Sequence, residues 1–282
     1  MVDYCSSAAS RPLPCEDLGE TATFEVLHEL TVGDGFNRGR GSQVVKCARR
    51  GSNEPLLAKI YDPLYYPFAD DEDASTPNDV VARAEHDFAL ESAAYAQVDE
   101  SLGGSIVPKF RGSWVLNVPL KHLARPVGFI LYEYVEGMSL DTLDPRQYTT
   151  EARLRVLAQA MEGEVRLHFA GVLHDDIAPR NLICSDSNLS AEDLRVRIID
   201  FNSARIMPLL GADAPCKSEE LPESPLEWFW GNRPVDMRQW LPDGWGTREW
   251  NQWLKEKWGG STRFKPVPED RLYQNEESSA KP

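Results

Sequence analysis

HDDIAPRN at residues 174–181 and DFNSA at 200–204 decide how this chain is read. The first follows TTEARLRVLAQAMEGEVRLHFAG (149–171), a helical run that Thr149 or Thr150 can cap and Gly171 can stop. Between the two fragments stand short strand-like runs, NLICS and RVRIIDF, separated by a polar loop. Either fragment alone is ordinary loop or strand-end sequence. Both in this order, one where a helix gives way to a loop and one where a strand gives way to a turn, are much rarer by chance.

Upstream, residues 23–134 read mostly as strand: TFEVLHELTV, SQVVKCARR and PLLAKIYDP are β-branched or aromatic runs divided by Gly, Asn and Arg turns. One helix interrupts them from about residue 78 to 98, with Val81, Ala84, Phe88, Ala89, Ala93 and Tyr95 at broadly helical spacing and a cap at Asn78 or Asp79. The acidic ADDEDASTPND before it reads as a solvated loop. Downstream, residues 207–264 carry seven of the eight tryptophans. Rings of that size either line a binding groove or bury enough area to close a short lobe. Gly231, Pro234, Pro242, Gly244, Gly246 and Gly259 favour an irregular wrap over long helices. Residues 1–22 and 265–282 read as tails.

A length of 282 residues allows one large domain or two lobes. Asp and Glu number 45 against 30 Lys and Arg, a formal charge of −15. Such a balance disfavours nucleic acid as a partner, whose binding draws on surplus cations, but not a nucleotide, which needs only a few local ones. An apolar fraction of 41% with 27% charged residues is that of a globular protein. No run approaches the roughly 18 apolar residues of a membrane span, and the start lacks a signal-peptide pattern. Five widely spaced cysteines without a CxxC pair argue against a zinc site or a disulfide framework. An intracellular protein, cytoplasmic or nuclear, is expected.

The two fragments resemble the catalytic loop H-x-D-x-x-x-x-N and the metal-binding turn D-F-G of the protein-kinase superfamily. The resemblance covers about residues 23–206. It implies a two-lobed α+β fold: a small, mainly antiparallel β lobe with one key helix over 23–134, and a reduced, mainly α lobe over 135–264. The implied activity is transfer of the γ-phosphoryl of ATP to a hydroxyl with Mg²⁺, which needs an acid beside the attacking hydroxyl and oxygen ligands for the metal. By this resemblance Asp176 is the catalytic base, Asn181 and Asp200 are magnesium ligands, and His174 buttresses the turn. LLAKI matches the strand that carries the phosphate-positioning lysine, Lys59, with Glu91 as its favoured helix partner and Glu85 as the second candidate. FILYEYVEG (129–137) resembles the strand and hinge between lobes, with Tyr132 at the gatekeeper position and main-chain groups of Glu133 and Val135 offered to adenine. Gly33, Gly35, Gly39 and Gly41 fit no strict G-x-G-x-x-G register. They form either a turn alone or one whose Gly39, Gly41 and Val45 cover nucleotide.

Three departures bear on function. Asp175 stands where many protein kinases place an arginine that grips a phosphorylated loop, so control by loop phosphorylation is not expected. Asn202 replaces the glycine of the metal turn, and asparagine tolerates a left-handed backbone. No clean A-P-E follows; SPLE at 224–227 is a loose echo with about 55 residues after it, so the substrate platform is expected to be rebuilt. A protein Ser/Thr acceptor is preferred, with a small amino-alcohol or aminoglycoside-like acceptor as the alternative. A catalytically weak scaffold is the third reading, against which Lys59, Asp176, Asn181 and Asp200 all stand. Oligomeric state is left open.

Overall fold

The computed structural model describes residues 24–31, 41–69, 77–120, 123–186, 189, 193–211 and 220–272. Gly33, Gly35 and Gly39 of the expected glycine turn lie outside them, as do Cys5, Cys15 and Cys216. The chain divides into two compact units, the first running up to Asp99 and including Pro108–Tyr134, the second formed by Glu100–Val107 and the residues from Val135 onward.

The first unit is built on a five-stranded antiparallel sheet of β1 (Phe24–Thr31), β2 (Gln43–Arg49), β3 (Pro55–Tyr61), β4 (Phe110–Leu120) and β5 (Leu123–Glu133), in the order β1-β2-β3-β5-β4. Side chains alternate across a strand, so β3 splits into two sets. Leu56, Ala58 and Ile60 join Val45, Cys47, Leu116, Val127, Phe129 and Leu131 in one apolar cluster. Leu57, Lys59 and Tyr61 take the opposite face. Helix α1 (Val80–Leu102) starts at Asp79, whose carboxylate accepts the Ala82 amide at 3.0 Å. Asn78, the other candidate cap, is engaged elsewhere, its side-chain amide donating to the carbonyls of Pro67 and Ala69. Ala84, Phe88, Glu91, Tyr95 and Val98 are buried at intervals of three and four, which puts them on one stripe of the helix. Phe88 meets Tyr61 of β3 with ring centroids 5.7 Å apart.

The second unit centres on α2 (Thr150–Phe169), which Thr149 caps by accepting the Ala152 amide at 3.3 Å. Around it lie β6 (Met138–Ser139), β7 (Val172–Leu173), β8 (Leu182–Cys184), β9 (Val196–Ile198), β10 (Arg205–Ile206), α3 (Pro225–Trp228) and α4 (Thr247–Trp258). Two small sheets, β6-β8-β9 and β7-β10, frame the polar bends between these strands. The expected irregular wrap is corrected by α4, a helix of 12 residues. Gly246 and Gly259 mark its two ends as caps, so the glycines read as breakers flank a helix instead of preventing one. Trp230, Trp240, Trp250 and Trp258 are all buried, and the rings close the core of this unit. Two indole N–H groups are satisfied there, Trp250 donating to the Phe229 carbonyl and Trp258 to Glu162, both at 2.9 Å.

Candidate functional site

In the first unit Lys59 and Glu91 meet, the lysine Nζ lying 2.6 Å from Glu91 Oε2. Lys59 is 5% exposed and Glu91 is fully buried, so the charges face each other with little solvent between. Tyr61 donates its hydroxyl to the same carboxylate oxygen at 2.7 Å. Tyr61 follows Lys59 by two positions, the spacing that shares a strand face, and this third member was missed because a tyrosine at a strand end carries no motif. Glu85, the second candidate, is exposed.

The cross-strand register settles which β2 residue shares the lysine face. Val44 pairs directly with Lys59 and Lys46 with Leu57, and directly opposed residues point the same way. Val45 pairs with Ala58 and packs in the apolar cluster on the far face. Val45, expected on the nucleotide side, thus points away from the Lys59 face, which Val44 shares; sequence reading missed the parity, since two valines in succession hide it. Gly41 is buried against the ring of Tyr66: a Cβ built on it would fall 2.3 Å from Tyr66 Cδ1. Glu133 donates its amide to the Lys109 carbonyl at 2.9 Å and accepts the Lys109 amide on Oε2 at 3.0 Å. Tyr132 stacks on Tyr95 at 5.1 Å, and Lys46 Nζ lies 3.8 Å from the Tyr134 ring centroid.

In the second unit the two motif fragments are bound to each other. His174 is buried and its Nε2 donates to the Ile199 carbonyl at 3.0 Å, next to Asp200, while its Nδ1 accepts the Asp176 amide at 3.3 Å. Burial pushes the imidazole pKa down, which favours this neutral, one-donor form. The ring also packs on Phe201, centroids 4.8 Å apart. A further link runs from the Ile199 amide to the Asn181 carbonyl at 2.9 Å.

Asn181 Nδ2 donates to Asp176 twice, to the carbonyl at 2.9 Å and to Oδ2 at 2.8 Å. Those two bonds fix the amide's orientation and direct its oxygen away from Asp176. The other Asp176 oxygen accepts from Arg180, four residues on and half exposed, a neighbour that sequence reading overlooked although its spacing offered the signal. Asp200 has φ 68° and Asp175 φ 58°, both in the left-handed region where a side chain is strained. Strain of this kind persists where surrounding bonds over-determine it and gathers at functional bends. Asp175 pairs with Arg205 of β10, with Arg205 Nη2 2.9 Å from Asp175 Oδ1. Asn202 lies in the turn after Phe201 and Val135 opens this unit, both half-buried.

The described thiols are chemically quiet: burial pushes Cys47 up to about 11 and Cys184 up to about 12. Among the described residues no group of three or more His, Cys, Asp or Glu is placed to hold a metal, and no helix is long and apolar enough to cross a membrane.

The sheet with its one helix and the paired motif fragments make an α+β chain that is similar over part of its length to protein kinases. No family model matches the chain. Over 79 residues, 27% of this chain and 10% of the other, it is 37% identical to a protein of Bifidobacterium longum described as the probable serine/threonine-protein kinase pknA2. Over 79 residues it is 35% identical to the serine/threonine-protein kinase pkn2 of Myxococcus xanthus, covering 28% of this chain and 9% of that one. The matched stretch thus spans about a tenth of these curated relatives. Among solved structures it is similar to the Cydia pomonella granulovirus kinase PK-1, at 15% identity and a TM-score of 0.41, over 65% of this chain and 53% of that one.

Proposed function

We propose that this protein is an ATP-dependent phosphotransferase that moves the γ-phosphoryl group to a hydroxyl, with a protein serine or threonine as acceptor. The observation that carries the reading is Asp176, a half-buried carboxylate whose two oxygens are oriented by Arg180 and Asn181 and whose backbone is pinned by His174. A base for a hydroxyl proton needs this kind of fixed direction, because phosphoryl transfer relies on positioning and electrostatics more than on covalent chemistry. The relatives named as serine/threonine-protein kinases support the acceptor class.

Asn181 and Asp200 suit Mg²⁺, which takes oxygen ligands and is commonly held by one or two carboxylates together with nucleotide phosphates. The commitment of Asn181 Nδ2 to Asp176 agrees with that use, since it leaves an oxygen for the metal. When bound, Mg²⁺ supplies charge neutralisation at the phosphates. Lys59, with its direction set by Glu91, binds the α- and β-phosphates, and Val44 and Leu57 offer an apolar face to the base. Asp176 accepts the acceptor's proton.

The test is radiolabelled phosphate transfer from ATP·Mg²⁺ to a panel of generic proteins and small amino alcohols. Asp176→Ala should lose about 10²–10⁴ in rate while retaining nucleotide. Undiminished turnover in that variant removes Asp176 from the chemistry, and transfer to the amino alcohols alone replaces the proposed acceptor.

A further inference from the structure

Asp175 departs from the kinase pattern, and the proposed reaction gives neither it nor Arg205 a part. The two meet as a fork: Arg205 donates from Nε to one Asp175 carboxylate oxygen and from Nη2 to the other, the second bond at 2.9 Å. Both residues are exposed, and an ion pair at a surface typically adds only about 0–1 kcal/mol to stability. What a two-pronged guanidinium contact does supply is direction, because it fixes the plane of the carboxylate. Asp175 stands between His174 and Asp176, and its φ of 58° makes the bend that carries Asp176. Left-handed backbone at such a residue persists where neighbours hold it. His174 holds one side, through the Ile199 carbonyl and the Asp176 amide. The fork holds the other. Arg205 of β10 pairs with Leu173 of β7, so Asp175 lies two residues past its direct partner, within reach of a long side chain. β10 begins at Arg205, five residues after Asp200, and just beyond it the Met207 amide donates to the Gly171 carbonyl at 2.9 Å.

We propose that Arg205 is a positioning residue that acts through Asp175: the fork clamps the bend that carries Asp176 and ties it to the chain leaving Asp200, so that base and metal turn keep their relative places. The inference rests on the reading of Asp176 as the base and Asp200 as a metal ligand. His174 and Asn181 join the two motif fragments just before Asp200, at Ile199, and the fork joins them again after it, at Arg205. Without the second tie the bend relaxes and Asp176 loses its fixed direction. That slows the chemical step, which depends on positioning, and leaves the affinity for nucleotide nearly as it was. Lysine in place of Arg205 keeps the charge but not the fork, and restores the hold only in part. Because the pair is exposed, added salt weakens it, so wild type also slows as ionic strength rises while a variant already lacking the pair does so less.

The experiment measures phosphate transfer from radiolabelled ATP·Mg²⁺ to dephosphorylated casein and to ethanolamine, with kcat and the KM for ATP taken on whichever accepts. Wild type is compared with Asp175→Asn, Arg205→Gln, Arg205→Lys and the double variant Asp175→Asn with Arg205→Gln. Arg146→Gln, which breaks the exposed Asp144–Arg146 fork of the same unit, controls for a surface ion pair without such a role and should keep wild-type kcat. The positioning role predicts kcat lower by about 10-fold or more in Asp175→Asn and in Arg205→Gln, with the KM for ATP within about twofold and melting temperatures within about 2 °C of wild type. The double variant should be no slower than the singles, and Arg205→Lys should fall between wild type and Arg205→Gln. Unchanged kcat in Arg205→Gln, or losses that multiply in the double variant, overturns the role and leaves the phosphotransferase reading standing. If wild type transfers phosphate to neither acceptor, that reading fails and takes the positioning role with it.

Discussion

Replacing Glu91 with leucine and Lys59 with methionine, singly and together, probes the best-defined polar contact of the first unit. The ions are 2.6 Å apart, the carboxylate is fully buried and the lysine nearly so. Removing one partner leaves the other ion buried without its counter-charge, which typically costs about 3–5 kcal/mol. For a chain of this size each kcal/mol lowers the melting temperature by about 2–4 °C, so each single variant should melt on the order of 10 °C lower. The double variant removes both ions of this pair and substitutes apolar groups of similar length, an exchange that is often neutral. Its loss should therefore be smaller than the sum of the singles by about 2 kcal/mol or more. Tyr61 adds to the asymmetry, since its hydroxyl loses its acceptor with Glu91→Leu but not with Lys59→Met. Urea denaturation followed by far-UV circular dichroism gives all four corners of the cycle. Additive losses, or single variants within about 0.5 kcal/mol of wild type, would refute the argument that the pair is buried and mutually dependent.

Three further outcomes follow from the second unit. Asp175→Asn should preserve stability because asparagine accepts the left-handed backbone at φ 58°, whereas Asp175→Val should cost about 1–2 kcal/mol; equal effects in thermal melts would place the cost in the Arg205 contact instead. Gly163→Ala on α2 gains about 1 kcal/mol of helix propensity, yet its Cβ would lie 2.6 Å from Ile198 Cδ1, and overpacking of about 1–3 kcal/mol should win; a stabilised variant would show that β9 yields easily. His174 has its pKa lowered by burial, so the unfolded chain takes up a proton near pH 6.5 that the folded chain resists. Its contribution to stability is complete above that value and is lost as pH falls through the window below it. Unfolding free energies at pH 7.5 and 5.5 should drop more steeply in wild type than in His174→Gln, a difference that cancels the opposite contribution of Glu164, whose pKa burial raises.

The fold class was legible because its signals are periodic and local: a helix with Thr149 before it and Gly171 after it, and β runs such as PLLAKIY with turn residues between them. Asp176, Asn181 and Asp200 lay in two motif fragments whose spacing survives in sequence. What stayed hidden was set by contacts across the chain. Val44 and Val45 are equivalent in a string of letters, and only pairing with Lys59 and Ala58 assigns their faces. Gly246 and Gly259 look like breakers until the amphipathic run between them is seen to pack its tryptophans on the rest of the unit. Tyr61 carries no motif, and its significance comes from Glu91, 30 residues away in sequence. The −15 charge also changes in meaning: on the proposed reading, a nucleotide would be held against it by a few groups, Lys59, backbone amides and a divalent cation.

The central claim, that this chain uses Asp200 and a divalent metal to bind ATP, is tested most directly by thermal shift with ATP in the presence and absence of Mg²⁺ on wild type and Asp200→Ala. Ligand at a hundredfold over Kd stabilises by about 2.7 kcal/mol, a rise of roughly 5–10 °C for a chain of this length. The account predicts that rise for wild type with Mg²⁺, a much smaller one without it, and none of the metal-dependent part in Asp200→Ala. A shift that is indifferent to Mg²⁺, or one that Asp200→Ala retains in full, would contradict it.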